Sequence, residues 1–243
     1  MKTKWGISGS VLKWFAVITM AIDHFGASIL ETYVMNVWGR SPLGNLFSDH
    51  WNELLRVDRI LRYIGRPAFP IFCFLLVEGF LHTRDVKKYA MRLGIFALIS
   101  EIPFDLAVRG KIFDWQYQNV YVTLLLGLLT IWVLKTQRDV WYVRLTVTAI
   151  GCALGELLHC DYGAFGVVLI VALYVMRESR FQQCITGAIC SFWEFTAPLA
   201  FIPVWFYNGK RGRQPKWFFY WFYPVHLLIY GIIGSWILPG ILL

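Results

Sequence analysis

Lys13 and His24 lie about three helical turns apart inside one apolar segment, VLKWFAVITMAIDHFGASIL, from Val11 to Leu30. At about 100° per residue they project from one helix face, roughly 16 Å apart along the axis. An imidazole is the side chain best suited to accept and return a proton near neutral pH. A cation near the segment's mouth and an imidazole deeper in would hold a long anionic substrate that reacts at its far end. Asp23 sits beside His24, about 100° round the helix, and a carboxylate partner can fix an imidazole's tautomer and stabilise its cation. Glu101 on another segment is an equally good candidate for that partner. Counted inward from the cytoplasmic ends of their segments, His24 and Glu101 lie roughly 16–20 Å deep, with Glu156 and His226 at comparable depth. His24, Glu101, Glu156 and His226 are therefore expected to form one polar layer, with His24 as the base. The bland alternative is polar glue between helices. Glu78, in FCFLLVEGF, falls near the cytoplasmic end of its segment. The stretch HTRDVKKYAMRL carries Arg84, Lys87, Lys88 and Arg92. Lys88 and Arg92 are one turn apart and share a face, an arrangement that suits phosphate, with Arg giving bidentate contacts.

The elements that must position these groups are membrane helices. Hydrophobic residues make up 58% of the 243 and charged residues only 16%, against about 25% charged in a soluble domain. About 20 apolar residues at about 1.5 Å rise cross a hydrocarbon core of about 30 Å, so the first segment is long enough. Ionisable groups at such depth are costly and by default mark a functional site. The net charge of +8 follows from cytoplasmic loops that favour Lys and Arg. No glycine-rich phosphate loop, zinc-finger spacing or basic–aromatic groove points to nucleic acid. The five cysteines are scattered through apolar runs and show no CxxC, so they read as small buried hydrophobes. His159, Cys160 and Asp161 are consecutive and fan around a helix instead of converging, so no metal site is expected. Lys2 and Lys4 make a basic start, but no A-x-A-like cleavage site follows, which favours a retained first span.

Apolar runs continue at about 66–81, 88–108, 119–134, 140–159, 163–177, 181–207 and 217–242. Trp193, Glu194 and Pro198 interrupt the seventh. With the amino terminus cytoplasmic and the seventh run taken as two short helices, most of the 23 lysines and arginines fall inside, including the YNGKRGR loop. The expected fold is an all-α polytopic membrane bundle of about eight or nine transmembrane helices, with residues 1–243 forming a single domain in the cytoplasmic (inner) membrane. The outside loop at about 32–65 carries Arg40, Arg56, Arg59 and Arg62, and Arg66 follows it. Its Trp51–Tyr63 stretch reads as an interfacial helix whose arginines pair with Asp49, Glu53 and Asp58, or as a surface for an anionic or peptide acceptor.

Stretches along nearly the whole chain resemble the TraX family of membrane proteins, best known for F-pilin amino-terminal acetylation. They are LKWFAVITMAIDHFG, RYIGRPAFPIFCFLLVEGFLHTRDVKKYAMRLGIFALISEIPFDL, NVYVTLLLGLL, DYGAFGVVLIV, YNGKRG and KWFFYWFYPVHLLI. The chain is more distantly similar to transmembrane acyltransferases of the acyltransferase-3 type. Those carry Lys or Arg, ten residues and then His in the first helix, and a late tyrosine–histidine helix like FYPVHLLI. Their basic pair is usually RxxR, and Lys88 and Arg92 here are one residue wider. The resemblance implies a membrane-embedded acetyltransferase with cytoplasmic acetyl-CoA as donor and a peptide, pilin amino terminus or glycan as acceptor. In it, His24, Asp23, Glu101 and His226 would be catalytic, Lys13, Arg84, Lys88 and Arg92 would hold CoA, and Glu78 and Glu156 would line the acceptor. Two other classes compete: a proton-coupled transporter that uses the polar layer as a path, and a membrane assembly factor without catalysis.

Overall fold

A computed structural model of the chain describes residues 6–39, 48–137 and 140–242. Lys2, Lys4, Arg40 and Arg138 lie outside the described residues. The described chain is helical throughout, with no strand beyond two isolated bridges. In order come α1 (Gly9–Phe25), a π-helix π1 (Gly26–Trp38), α2 (Trp51–Gly65), α3 (Ala68–His82), α4 (Val86–Phe104) and π2 (Asp105–Arg109). Then follow α5 (Val120–Thr136), α6 (Trp141–Leu157), α7 (Gly163–Val175), α8 (Arg180–Cys190), a 3-10 turn (Ala197–Ala200), α9 (Phe201–Trp205), α10 (Lys216–Ile232), π3 (Ile233–Ile237) and α11 (Leu238–Leu242).

Among the described residues, three helical runs are long and apolar enough to cross a membrane: Gly9–Trp38, Trp51–His82 and Trp217–Gly240. Val120–Thr136 and Gly163–Val175 are shorter apolar helices. The helices sit where the apolar runs lie, within a few residues. One departure is that the first run does not end near Glu31 but continues through π1 to Trp38. The seventh breaks into turns at Ser191–Thr196, around Trp193 and Glu194, where the sequence interrupts it. Its second piece, Ala197–Trp205, is too short to cross a core that needs about 20 residues.

Polar side chains start several helices by satisfying otherwise orphaned N–H groups. Asp85 Oδ1 accepts from Lys88 N at 2.9 Å. The Asn119 side chain accepts from Tyr121 N at 3.0 Å and donates to the Ala97 carbonyl at 2.8 Å. Ser179 Oγ accepts from Gln182 N at 3.4 Å.

The chain divides into two compact units. The first comprises Met1–Ala16, Pro67–Leu98 and Trp115–Gln214. In it α7 packs against α3, α5, α6 and α8, burying Phe74, Phe80, Leu128, Ile131, Leu169, Ile170 and Leu173. Cys73, Cys160 and Cys184 are buried free thiols, as expected of small hydrophobes. The second unit comprises Val17–Arg66, Ile99–Asp114 and Pro215–Leu243. Here π1 packs against α2, α10, π2 and π3. A wide π turn displaces backbone groups from ordinary helical partners, and side-chain donors bind the carbonyls. The Thr32 hydroxyl reaches the carbonyls of Ala27 at 2.9 Å and Val108 at 2.8 Å. Tyr33 Oη donates to the Leu106 carbonyl at 2.6 Å and Trp38 Nε1 to the Gly234 carbonyl at 3.0 Å. π-helical turns are rare and collect at functional sites. π2 begins two residues after Pro103, whose missing N–H already breaks the ladder of α4.

Candidate functional site

The second unit brings His24 and His226 together. His24 stands on the last turn of α1 and His226 in α10, two residues after Pro224. His24 Nδ1 and His226 Nε2 are 2.7 Å apart. The two rings are nearly parallel, at 15°, with centroids separated by 5.0 Å. His226 Nδ1 lies 2.6 Å from the carbonyl of Phe222, one turn back on its own helix. A carbonyl only accepts, so Nδ1 of His226 carries the proton. With both rings neutral, Nε2 of His226 is then an acceptor, and Nδ1 of His24 must donate to it. The remaining nitrogen, His24 Nε2, keeps its lone pair. One backbone carbonyl thus dictates the tautomer of both imidazoles.

Aromatic rings frame the pair. Phe222 stacks on His226 at 4.7 Å, while Tyr223 presents an edge to His24 at 5.7 Å and Tyr230 to His226 at 5.7 Å. Tyr230 Oη in turn donates to the Ala21 carbonyl of α1 at 3.2 Å, tying α10 to the turn below His24. His226 is buried and His24 half-buried.

Asp23 serves a different partner. Arg62 Nη1 donates to Asp23 Oδ2 at 2.7 Å, and Arg66 Nε stands 4.0 Å from Asp23 Oδ1. Glu31 lies 3.9 Å from Arg62 Nε. Helix α2 can bring its arginines so close because Gly65 faces Asp23: a Cβ there would stand 2.0 Å from the Asp23 Cβ. Arg62 and Arg66 are near enough to His24 to act on it electrostatically. Sequence reasoning put these arginines on an outside loop and paired them with acids of their own stretch. The signal available was Gly65, a small residue opposite a buried carboxylate. Glu101 lies in the α4 part of this unit and is half-buried.

The other predicted residues belong to the first unit. Lys13 Nζ donates to Gln214 Oε1 at 2.6 Å. Lys88 is paired with Asp85 at 3.4 Å, and the hydrogen bond from the Lys88 backbone N–H, followed by the charge of its ammonium, holds the Asp85 carboxyl below the usual carboxylate range. Arg84 is exposed, and Arg92 lies over the Tyr89 ring at 5.8 Å. Glu78 faces Arg180 Nη2 at 3.7 Å. Glu156 is exposed at the end of α6, where its Oε1 accepts the Ala164 N–H at 2.7 Å and so caps α7. Of the four residues expected to form one polar layer, His24, His226 and Glu101 belong to the second unit and Glu156 to the first.

The described residues thus form an all-helical fold with three helical runs long and apolar enough to cross a membrane and a hydrogen-bonded histidine pair. Residues 8–234 match the TraX protein family, and the chain belongs to that family, as the sequence resemblance implies. It is similar to a probable fimbrial assembly protein FimC, serogroup H1, of Dichelobacter nodosus. The two are 29% identical over 248 residues, covering 90% of this chain and 92% of the relative. No solved structure matches the chain.

Proposed function

We propose that this protein is a membrane-embedded acetyltransferase that moves acetyl from cytoplasmic acetyl-CoA to an amine or hydroxyl acceptor. The observation that carries this reading is the ordered chain from His24 Nδ1 through His226 to the Phe222 carbonyl, which leaves a lone pair on His24 Nε2. In the proposed step His24 Nε2 takes the proton of the acceptor N–H or O–H. The acceptor atom bonds to the acetyl carbonyl carbon, and collapse of the tetrahedral intermediate breaks the C–S bond. The proton then passes from His24 to the departing CoA thiolate, so the products are the acetylated acceptor and CoA thiol. His226 stabilises the imidazolium through the Nδ1 hydrogen bond. Arg62 and Arg66, positioned by Asp23, supply positive charge for the developing oxyanion. Glu101 is a further carboxylate of the same unit, assigned to the proton path. The donor's anionic end calls for cations such as Lys13, Arg84, Lys88 and Arg92, and Glu78 and Glu156 are candidates for the acceptor.

The fimbrial name of the relative and family membership favour a pilin-like amino terminus as acceptor and a multi-pass location in the cytoplasmic membrane. That same name is the observation behind a second reading, a pilus assembly factor that does no chemistry. Transfer of label from radiolabelled acetyl-CoA to membrane peptides and glycans separates the two. His24→Ala abolishes transfer while the protein still purifies as a single folded species. Undiminished transfer in that variant would remove His24 as the base, and no transfer by the wild-type protein to any peptide or glycan would leave the assembly reading.

A further inference from the structure

The loop Asn208–Gln214, with sequence NGKRGRQ, is built as an anion cradle, and no role so far uses it. It lies within the first unit and is clamped against the start of α1. Ile7 N donates to the Phe206 carbonyl at 2.9 Å, Asn208 N to the Ile7 carbonyl at 3.0 Å, and Gly9 N to the Lys210 carbonyl at 2.9 Å. Ser10 Oγ donates to the Arg213 carbonyl at 2.6 Å, and Gln214 Nε2 to the Arg211 carbonyl at 2.9 Å. Asn208 adds its side-chain donor to the Gly6 carbonyl at 2.9 Å and accepts Lys210 N at 3.0 Å. The carbonyls of Lys210, Arg211 and Arg213 are thereby engaged by neighbouring donors. The backbone N–H groups of Arg211, Gly212 and Arg213 have no hydrogen-bond partner among the described residues. Nor do the side chains of Lys210, Arg211 and Arg213 form an ion pair there, and all three are exposed.

Two glycines in left-handed conformation shape the loop, Gly209 at φ 73° and Gly212 at φ 72°. A Cβ on Gly212 would stand 2.7 Å from Ser8 Oγ, so any side chain there is strained twice over. On the other flank Tyr207 meets the buried Phe74 ring edge-on at 5.3 Å. Arg180 lies over the Tyr207 ring at 5.2 Å and the Phe74 ring at 4.7 Å, and pairs with Glu78 at 3.7 Å. The buried Gln183 accepts from Arg180 at 2.7 Å and donates to the Leu173 carbonyl at 2.8 Å. The loop carries three cations, with Lys13 tied to its last residue, and successive unpartnered N–H groups around a left-handed glycine are the makings of an anion nest.

We propose that the loop Asn208–Gln214 is the phosphate site of this protein and holds the nucleotide phosphates of the acyl donor. The proposal rests on the CoA-dependent reading above, and it assigns Glu78, Arg180 and Tyr207 as positioning residues of the loop instead of acceptor contacts.

The test uses the full chain in phosphatidylcholine nanodiscs, titrated with CoA and with its adenosine bisphosphate fragment, which lacks the thiol arm. The wild-type protein binds both. Replacing Lys210, Arg211 and Arg213 together by Gln weakens both ligands about tenfold or more. Gly212→Ala, which keeps every charge, weakens them comparably while the elution volume stays that of the folded wild type, with a melting temperature lowered by the strain at φ 72°. Wild-type affinity in either variant overturns the site and leaves the donor reading standing. Absence of CoA and fragment binding by the wild type overturns the donor reading itself. If the loop variants instead lose only flotation with phosphatidylglycerol vesicles, the cradle takes lipid headgroups and the nucleotide assignment falls.

Discussion

Asp23 and His24 are neighbours in sequence and serve different helices: Asp23 binds Arg62 of α2 at 2.7 Å, and His24 binds His226 of α10 at 2.7 Å. About 100° of helical rotation separates the two side chains. The turn at Asp23–His24 is therefore the point through which both α2 and α10 are indexed to α1. Perturbing either contact tests a different half of the site.

Removing His226 takes away the acceptor that fixes the tautomer of His24. His226→Ala lowers the rate of acetyl transfer by about a hundredfold or more, within the range of general acid–base contributions. His226→Gln, whose amide oxygen accepts from Nδ1, restores part of the loss. Initial rates with radiolabelled acetyl-CoA report both, and an unchanged rate in His226→Ala would separate the pair from the chemistry.

The Asp23–Arg62 pair is largely shielded, with side chains 11% and 22% exposed. Asp23→Ala leaves a guanidinium without its carboxylate, which costs about 3–5 kcal/mol for a buried pair. Glu31, at 3.9 Å from Arg62, is a substitute partner that places the result at the low end. Asp23→Ala combined with Arg62→Met costs less than the two single changes added together. Thermal unfolding of the four proteins in one detergent gives the coupling, and additive losses would show the pair to be inert.

Gly65→Ala places a methyl group where 2.0 Å separates it from the Asp23 Cβ. Helix α2 must withdraw, and overpacking of this kind costs about 1–3 kcal/mol. The expected outcome is a lower melting temperature together with loss of transfer, because Arg62 retreats with the helix. A wild-type melting curve would contradict the close approach.

Glu156→Ala removes the acceptor of the Ala164 N–H and destabilises the start of α7 by about 0.5–2 kcal/mol. Glu156→Gln, which keeps an oxygen there, loses less. Differential melting temperatures of the two variants measure the cap, and equal losses would point to charge instead of hydrogen bonding.

Much of this is legible in the sequence. Apolar runs mark helices because about 20 residues without charge have few other uses, and the break at Trp193–Glu194 stands where polar residues and Pro198 interrupt the seventh run. Two histidines within apolar helices also declare themselves by the energy they would waste if idle. Partners are harder to read. Depth along a helix says nothing about which face a side chain occupies, so the cap that Glu156 gives α7 is not legible in its position along α6. The arginines of α2 looked interfacial because a charged helix next to an apolar one reads as amphipathic until its partner is known. π1 was invisible because hydrophobic spacing at 3.6 residues does not announce a wider turn.

That wider turn has a consequence for how the unit tolerates editing. Thr32, Tyr33 and Trp38 each grip a carbonyl on π2 or π3, so π1 works as a ruler with three marks. Deleting one residue upstream of Thr32 swings every later side chain by about 100° and takes all three marks off their targets at once. Substitutions here can be absorbed one contact at a time, but a change in length cannot.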